Sequence, residues 1–223
     1  MKISELSNTA LRILSALAML FILGIVIVLE YYFPQIHAVR WLGILIMIGA
    51  IYETLKNFQN TPNKTFDAHA FYFIAFFAWL ILMLVSVYFV GARPWIMLWL
   101  LMIIVGADVG AWLFGKIFGG DKMWERLSEH KTWSGQIGGI LCGTLMSVLF
   151  FLYIKPFGND IVFAILMGIS MSLLSQYGDL TASSIKRCLG IKDFGNLIPG
   201  HGGVLDRFDG WIYILPLMWF FIR

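Results

Sequence analysis

Seven apolar runs constrain this chain more than any other feature. They cover about Thr9–Phe33, Ala38–Thr54, Ala68–Val90, Pro94–Phe118, Gly135–Ile154, Ile161–Leu180 and Val204–Ile222. A helix needs about 20 apolar residues to cross a bilayer, and in lipid every backbone polar group must be satisfied within the protein. The expected fold class is therefore all-α: a polytopic integral membrane protein with about seven transmembrane helices. Charged residues make up only 13% of the chain, against about 25% in a soluble domain. The first run is too long for a signal peptide and lacks a small-residue cleavage site. Two runs are imperfect. The second is short, with Glu53 at its end, and the seventh is fully apolar only from Trp211, its first turns carrying Asp206, Arg207 and Asp209. No linker, sustained repeat or soluble appendage interrupts residues 1–223, so a single membrane domain is expected.

Positive charge orients the set, because cytoplasmic loops of membrane proteins carry an excess of Lys and Arg. With seven spans, one side holds twelve such residues: Lys2 and Arg12; Lys56 and Lys64; Lys116, Lys122, Arg126 and Lys131; Lys186, Arg187, Lys192 and Arg207. The other side holds four: Arg40, Arg93, Lys155 and Arg223. The N-terminus and the fourth and sixth loops are thus expected in the cytoplasm. Cys142 and Cys188 belong to no CxxC pattern or disulfide framework and read as free thiols.

Polar residues cost most inside a membrane, so the chemistry is sought where they gather. Three stretches stand out, all opening to the same expected face. In "GADVGAWLFGK" (Gly106–Lys116), Asp108 lies within the fourth span, with Lys116 about 12 Å further along a regular helix. A carboxylate there is a functional candidate by default. Gly106 and Gly110, and Gly115 and Gly119, form GxxxG pairs that read as close helix packing. "SEHKTWSGQIGG" (Ser128–Gly139) is a polar loop entering the fifth span. Lys131, Thr132 and the amides at the helix start could hold an anion; the plain alternative is an interfacial loop anchored by Trp133.

The third stretch runs from Gln176 to Gly210. Asp179 and Ser183 are four apart and share a helix face. Lys186 and Arg187 follow a turn later, placed either to snorkel to the interface or to meet a ligand. Asp206 and Asp209, three apart, also share a face if helical. Between the acidic pairs lies a loop with Pro199, Gly200, Gly202 and Gly203; glycine permits positive φ and close backbone approach. His201 reads as a structural hydrogen-bonding residue rather than a metal ligand. Carboxylates clustered with Lys and Arg suit Mg²⁺ with a polyphosphate, since Mg²⁺ prefers oxygen ligands and is held by one or two carboxylates plus substrate phosphates, while Lys and Arg balance the remaining charge. No Ser-His-Asp set or HExxH motif is present.

The third stretch resembles the signature of the phosphatidate cytidylyltransferase (CDP-diacylglycerol synthase) family. Its residues are Ser183, Lys186, Arg187, Lys192, Asp193, Pro199, His201, Gly202, Gly203, Asp206, Arg207 and Asp209, with the family's spacing intact. "GADVGAWLFGK" and "KTWSGQIGG" resemble the two upstream segments, in order. The resemblance covers about Gly106 to Trp211; the N-terminal half matches only as a hydrophobic pattern. Residues 1–93 are therefore expected to be supporting helices and residues 94–223 the catalytic half. Three departures stand out. Ala182 occupies a position that is usually acidic, Glu129 one that is often Pro, and the chain looks one or two spans short.

The resemblance implies a nucleotidyltransferase that condenses CTP with phosphatidic acid, giving CDP-diacylglycerol and pyrophosphate for phospholipid synthesis. It implies Mg²⁺ on Asp179, Asp206 and Asp209, with a second cation left open. Asp179, Lys186, Arg187, Asp206 and Asp209 are the implied catalytic set. Asp108, Lys131, Thr132, Ser183, Lys192, Asp193, His201, Gly202, Gly203 and Arg207 are the implied substrate contacts. The implied partners are CTP, phosphatidic acid and the bilayer, with no nucleic acid; a homodimer is left open. A bacterial cytoplasmic membrane fits, with the active-site loops cytoplasmic. Competing readings are a CTP-dependent lipid or polyprenol kinase, a CDP-alcohol phosphotransferase (whose DGxxAR start is not matched by "DGWIYI" at Asp209), and a transporter.

Overall fold

The computed structural model describes residues 8–59, 66–124, 128–155, 157, 158 and 160–223. Of the cations counted for orientation, Lys2, Lys64 and Arg126 lie outside the described residues. The apolar runs become helices: α1 (Asn8–Tyr32), α2 (Ala38–Gln59), α3 (Phe66–Val90), α4 (Pro94–Phe118), α5 (Trp133–Ile154) and α6 (Ile161–Leu189). A one-turn helix α7 (Leu205–Phe208) and a short α8 (Trp211–Ile222) complete the chain. Among the described residues, five helices are long and apolar enough to cross a membrane. The protein is an all-α integral membrane protein, with one small addition. Strands β1 (Lys122–Trp124) and β2 (Ser128–Thr132) form an antiparallel hairpin where a plain polar loop is expected, pairing Lys122 with Thr132 and Trp124 with Ser128.

Three boundaries differ from the sequence expectation. The second run, expected to be short and to end near Glu53, continues as α2 to Gln59, 22 residues in all. The seventh run is not one span. It breaks at Asp209–Gly210, leaving α8 only 12 residues, or ~18 Å, against a hydrocarbon core of ~30 Å. A continuous helix would have carried Asp206, Arg207 and Asp209 into lipid, which is costly; the break keeps them in α7 and a turn. Conversely, α6 continues past Leu180 to Leu189, 29 residues in all, or ~43 Å. That exceeds the hydrocarbon core, so its last turns carry Asp179, Ser183, Lys186 and Arg187 on one rigid helix.

The chain packs as two units. The first comprises residues 1–92 with 188–208. Its core includes Met47, Ala50, Leu80, Met83 and Val87. α2 and α3 lie so close that a Cβ on Gly43 would sit 2.6 Å from Val87 Cγ1. Glu30, 7% exposed, accepts a hydrogen bond from the Val39 amide (3.1 Å) and so satisfies an open donor at the start of α2.

The second unit comprises residues 93–187 with 209–223. Here α4 and α5 pack through glycines. A Cβ on Gly106 would lie 3.1 Å from the Cys142 carbonyl oxygen, and one on Gly110 2.5 Å from that of Gly138. The first GxxxG pair is thus a packing device, as its spacing suggests. The second is not. Gly119 lies beyond the helix as its C-cap, at φ 57° with open space where a Cβ would go. The Trp99 indole donates to the Ser147 carbonyl (3.2 Å) and hydroxyl (3.1 Å), and Thr181 Oγ1 and Tyr213 Oη, 2.9 Å apart, join α6 to α8.

Candidate active site

Each unit gathers part of the expected constellation. In the second unit, Asp179 is the hub. Lys131 Nζ lies 2.6 Å from Asp179 Oδ2 and 3.4 Å from the Gln176 carbonyl oxygen. Ser183 donates to Asp179 Oδ1 (3.3 Å), confirming the shared helix face. Asp108 on α4 interacts electrostatically with Asp179 and Lys131, and Asp209 with Asp179, Asp108 and Lys186. Three carboxylates from α4, α6 and the turn before α8 therefore share one field with two lysines.

Glycine brings Asp209 there. A Cβ on Gly178 would fall 2.4 Å from the Asp209 carbonyl oxygen. One on Gly210 would fall 2.7 Å from Ser175 Oγ. The backbone at 209–210 thus lies directly on α6, and Asp209 Oδ1 accepts from the Gly210 amide (2.8 Å). Thr132 has a local duty. As N-cap of α5, its hydroxyl accepts from the Gly135 amide (3.2 Å), while the Trp133 amide donates to the Asp121 carbonyl (3.2 Å). A Thr132→Ala variant should lose about 1 kcal/mol of stability. For a domain of this size that lowers Tm by about 2–4 °C, a shift measurable by thermal melting in detergent.

In the first unit, the stretch after α6 is a tied loop. The His201 amide donates to the Ile198 carbonyl (3.0 Å) across Pro199 and Gly200. Gly200 has φ 76°, so this four-residue turn has Pro and positive-φ Gly where a type II turn places them. Ile198 and Gly202 form an antiparallel bridge closed by Ile198 N–H to Gly202 O (3.0 Å). Asp206 Oδ2 accepts from the amides of Phe194 (2.7 Å) and Gly203 (3.0 Å). Arg207 grips the His201 carbonyl through Nε (2.9 Å) and Nη2 (2.6 Å). His201 Nδ1 lies 2.7 Å from Ser15 Oγ, consistent with its reading as a structural residue, and Arg12 Nε donates to the Gly200 carbonyl (3.1 Å). Lys192 and Asp193 are exposed beside this turn.

The donors in these two clusters are carboxylate oxygens, the ligand type of a hard cation. Among the described residues, no three His, Cys, Asp or Glu side chains converge on a common metal position. Mg²⁺ does not require three, since one or two carboxylates suffice when substrate phosphates and water complete its shell. Asp179 and Asp209 are two such carboxylates in the second unit, coupled electrostatically.

A family model for cytidylyltransferases matches residues 1–223. The chain belongs to the cytidylyltransferase family. Among similar curated proteins, the phosphatidate cytidylyltransferase of Staphylococcus haemolyticus (strain JCSC1435) is 41% identical over 111 residues, 50% of this chain and 42% of that protein. The protein of the same name from Staphylococcus aureus (strain COL) is 42% identical over 121 residues, 54% of this chain and 46% of that protein. One from Staphylococcus epidermidis (strain ATCC 12228 / FDA PCI 1200) is 42% identical over 111 residues, again 50% and 42%. The chain thus spans less than half of the length of these relatives.

Ala182, at the position that is usually acidic, is fully buried at 0% exposure, so a longer acidic side chain there would have to displace packed neighbours. The residues that sequence reasoning overlooked are Gly178, which seats Asp209 on α6, and Glu53, noted only as the end of an apolar run. Glu53 is 4% exposed and accepts backbone hydrogen bonds from the amides of Leu197 (3.2 Å) and Val204 (2.5 Å). A carboxylate ending an apolar run, inside a helix that continues to Gln59, is the available signal; its partner, more than 140 residues away, leaves no local trace.

Proposed function

We propose that the protein condenses CTP with phosphatidic acid, forming CDP-diacylglycerol and pyrophosphate. The observation that carries this reading is the Lys131–Asp179 pair beside Asp209, in a chain of the cytidylyltransferase family whose similar curated proteins are named phosphatidate cytidylyltransferase. A phosphomonoester loses its second proton near pH ~6, so the lipid phosphate is already a nucleophile and no general base is required. One of its oxygens attacks the α-phosphorus of CTP. The bond from that phosphorus to the oxygen bridging to the β-phosphate breaks, and pyrophosphate leaves with the electron pair.

The obstacle is the meeting of two anions. When bound, Mg²⁺ would screen the triphosphate and stabilise the charge that gathers on the leaving pyrophosphate. Asp179 and Asp209 would hold it, with Asp108 adding to their field. Lys131, pinned to one oxygen of Asp179, and Ser183, donating to the other, fix that carboxylate's orientation. Within the second unit, Lys186 and Arg187 would balance phosphate charge. Asp206 would act by shaping the loop that bears Lys192, Asp193, His201, Gly202 and Gly203. The lipid tails stay in the bilayer while CTP arrives from water, which suits residues on helix ends. The charge bias supports placing these ends and the N-terminus in the cytoplasm, and the staphylococcal relatives support a bacterial cytoplasmic membrane.

The test is incubation of purified protein with CTP labelled on the α-phosphate, Mg²⁺ and phosphatidic acid. Label recovered in CDP-lipid, with release of pyrophosphate, is the expected result. Label recovered in CDP would instead identify γ-phosphoryl transfer, and so a kinase.

A further inference from the structure

Glu53 lies near the end of α2, 4% exposed, and its two carboxylate oxygens are divided between the two ends of the glycine turn. Oε1 takes the Leu197 amide (3.2 Å) and Oε2 the Val204 amide (2.5 Å), on either side of the Ile198–Gly202 bridge. The glycines around it are shaped to admit it. A Cβ on Gly195 would sit 2.0 Å from Oε1, and one on Gly203 2.7 Å from Oε2. Asn57, one helical turn beyond Glu53 and on the same face, donates through Nδ2 to the Phe194 carbonyl oxygen. Phe194 itself is fully buried and stacked on Phe76 of α3, ring centroids 6.5 Å apart.

We propose that Glu53 is a positioning residue, a carboxylate staple that sets the shape in which the 194–204 loop receives the nucleotide's phosphates. The proposal rests on the reading of the protein as a CTP-using enzyme. The staple itself rests on contacts within the first unit. A turn of glycines is costly to order because glycine loses the most backbone freedom, and a single acceptor for both of its ends removes that freedom locally. Only a carboxylate serves both ends. Glutamine has one acceptor oxygen, and its NH₂ group would face an N–H donor. Aspartate is one methylene too short to reach both amides at once.

The experiment compares wild type, Glu53→Gln, Glu53→Asp and Asn57→Ala as full-length protein in nanodiscs. Two readouts are taken: KM for CTP and for phosphatidic acid, and hydrogen exchange in peptides covering residues 194–204. Glu53→Gln should raise KM for CTP at least tenfold, leave KM for phosphatidic acid within twofold, and speed exchange of the loop amides at least tenfold. Glu53→Asp should shift both readouts in the same direction by less, and it serves alone should the glutamine variant fail to accumulate. Asn57→Ala, which removes the hydrogen bond to the Phe194 carbonyl, should do the same. A lower maximal rate with unchanged KM for CTP would reduce Glu53 to a stability role and overturn the proposal, as would unchanged loop exchange. If wild type makes no CDP-lipid, the functional reading fails, while the exchange comparison still decides whether Glu53 holds the loop.

Discussion

Asp209→Asn is expected to lower CDP-lipid formation about a thousandfold, and Asp179→Asn to do the same, with both proteins still folded in the membrane. Each change keeps the side chain's shape and removes one negative charge. Asp209 shares its field with Asp179, Asp108 and Lys186, and Asp179 is pinned by Lys131 at 2.6 Å. Losing either carboxylate removes one of the two proposed anchors for Mg²⁺. Such an ion contributes several kcal/mol of charge stabilisation in the transition state, and about 4 kcal/mol corresponds to a thousandfold in rate. Asp160→Asn is the control. Asp160 caps the opposite end of α6, accepting from the amides of Val162 (3.0 Å) and Phe163 (3.2 Å). Asn caps a helix about as well as Asp, so this replacement should leave stability nearly unchanged and turnover within a fewfold. Near-normal turnover by both Asp179→Asn and Asp209→Asn, measured with labelled CTP at saturating Mg²⁺, would remove them from the metal site.

Gly178→Ala should lower kcat about a hundredfold, although it changes no polar group. The added methyl would stand 2.4 Å from the Asp209 carbonyl oxygen, where no flexible side chain can yield. Either the 209–210 turn lifts off α6 or α6 itself shifts, by about 1 Å in both cases. A misplacement of that size costs about a hundredfold where geometry carries catalysis, and overpacking of this kind costs about 1–3 kcal/mol of stability. Ser183→Ala is a useful comparison, since it removes one 3.3 Å hydrogen bond to Asp179 without moving backbone. Its effect should be far smaller. Equal activity of Gly178→Ala and wild type, in initial-rate assays at matched protein concentration, would show that the close approach of Asp209 to α6 does not matter for turnover.

Much of the site was legible because membrane sequences make polarity conspicuous. Asp108, Asp179, Lys186, Asp206 and Asp209 stand out against apolar surroundings, and the i, i+4 spacing puts Asp179 and Ser183 on one helix face, where the structure joins them by a hydrogen bond. The Ile198–His201 turn was likewise written locally, since Pro199 and Gly200 occupy the positions such a turn demands. Less legible was what each residue does. For Lys131 and Thr132 the sequence leaves anion binding and a plain interfacial loop both open; in the structure Thr132 caps α5 and Lys131 pairs with Asp179. The family resemblance implies Asp206 as a metal ligand, and the structure adds that its Oδ2 accepts two loop amides. Sequence reveals that a polar atom must find a partner, but several partners satisfy the same requirement.

By itself, the sequence determined the class of fold, the membrane setting and the family. Hydrophobic length follows from the bilayer's thickness, and the signature from Ser183 to Asp209 is contiguous, so neither depends on distant contacts. Tertiary structure alone decided where the last apolar run breaks, how far α6 projects, and why the glycines are where they are. Gly178 exists for the Asp209 backbone, and Gly195 and Gly203 for the carboxylate of Glu53. Those partners lie 31 to about 150 residues away along the chain. Steric exclusion between such positions leaves no local pattern; it exists only once the chain has folded and two backbones, or a backbone and a buried carboxylate, claim the same few cubic ångströms.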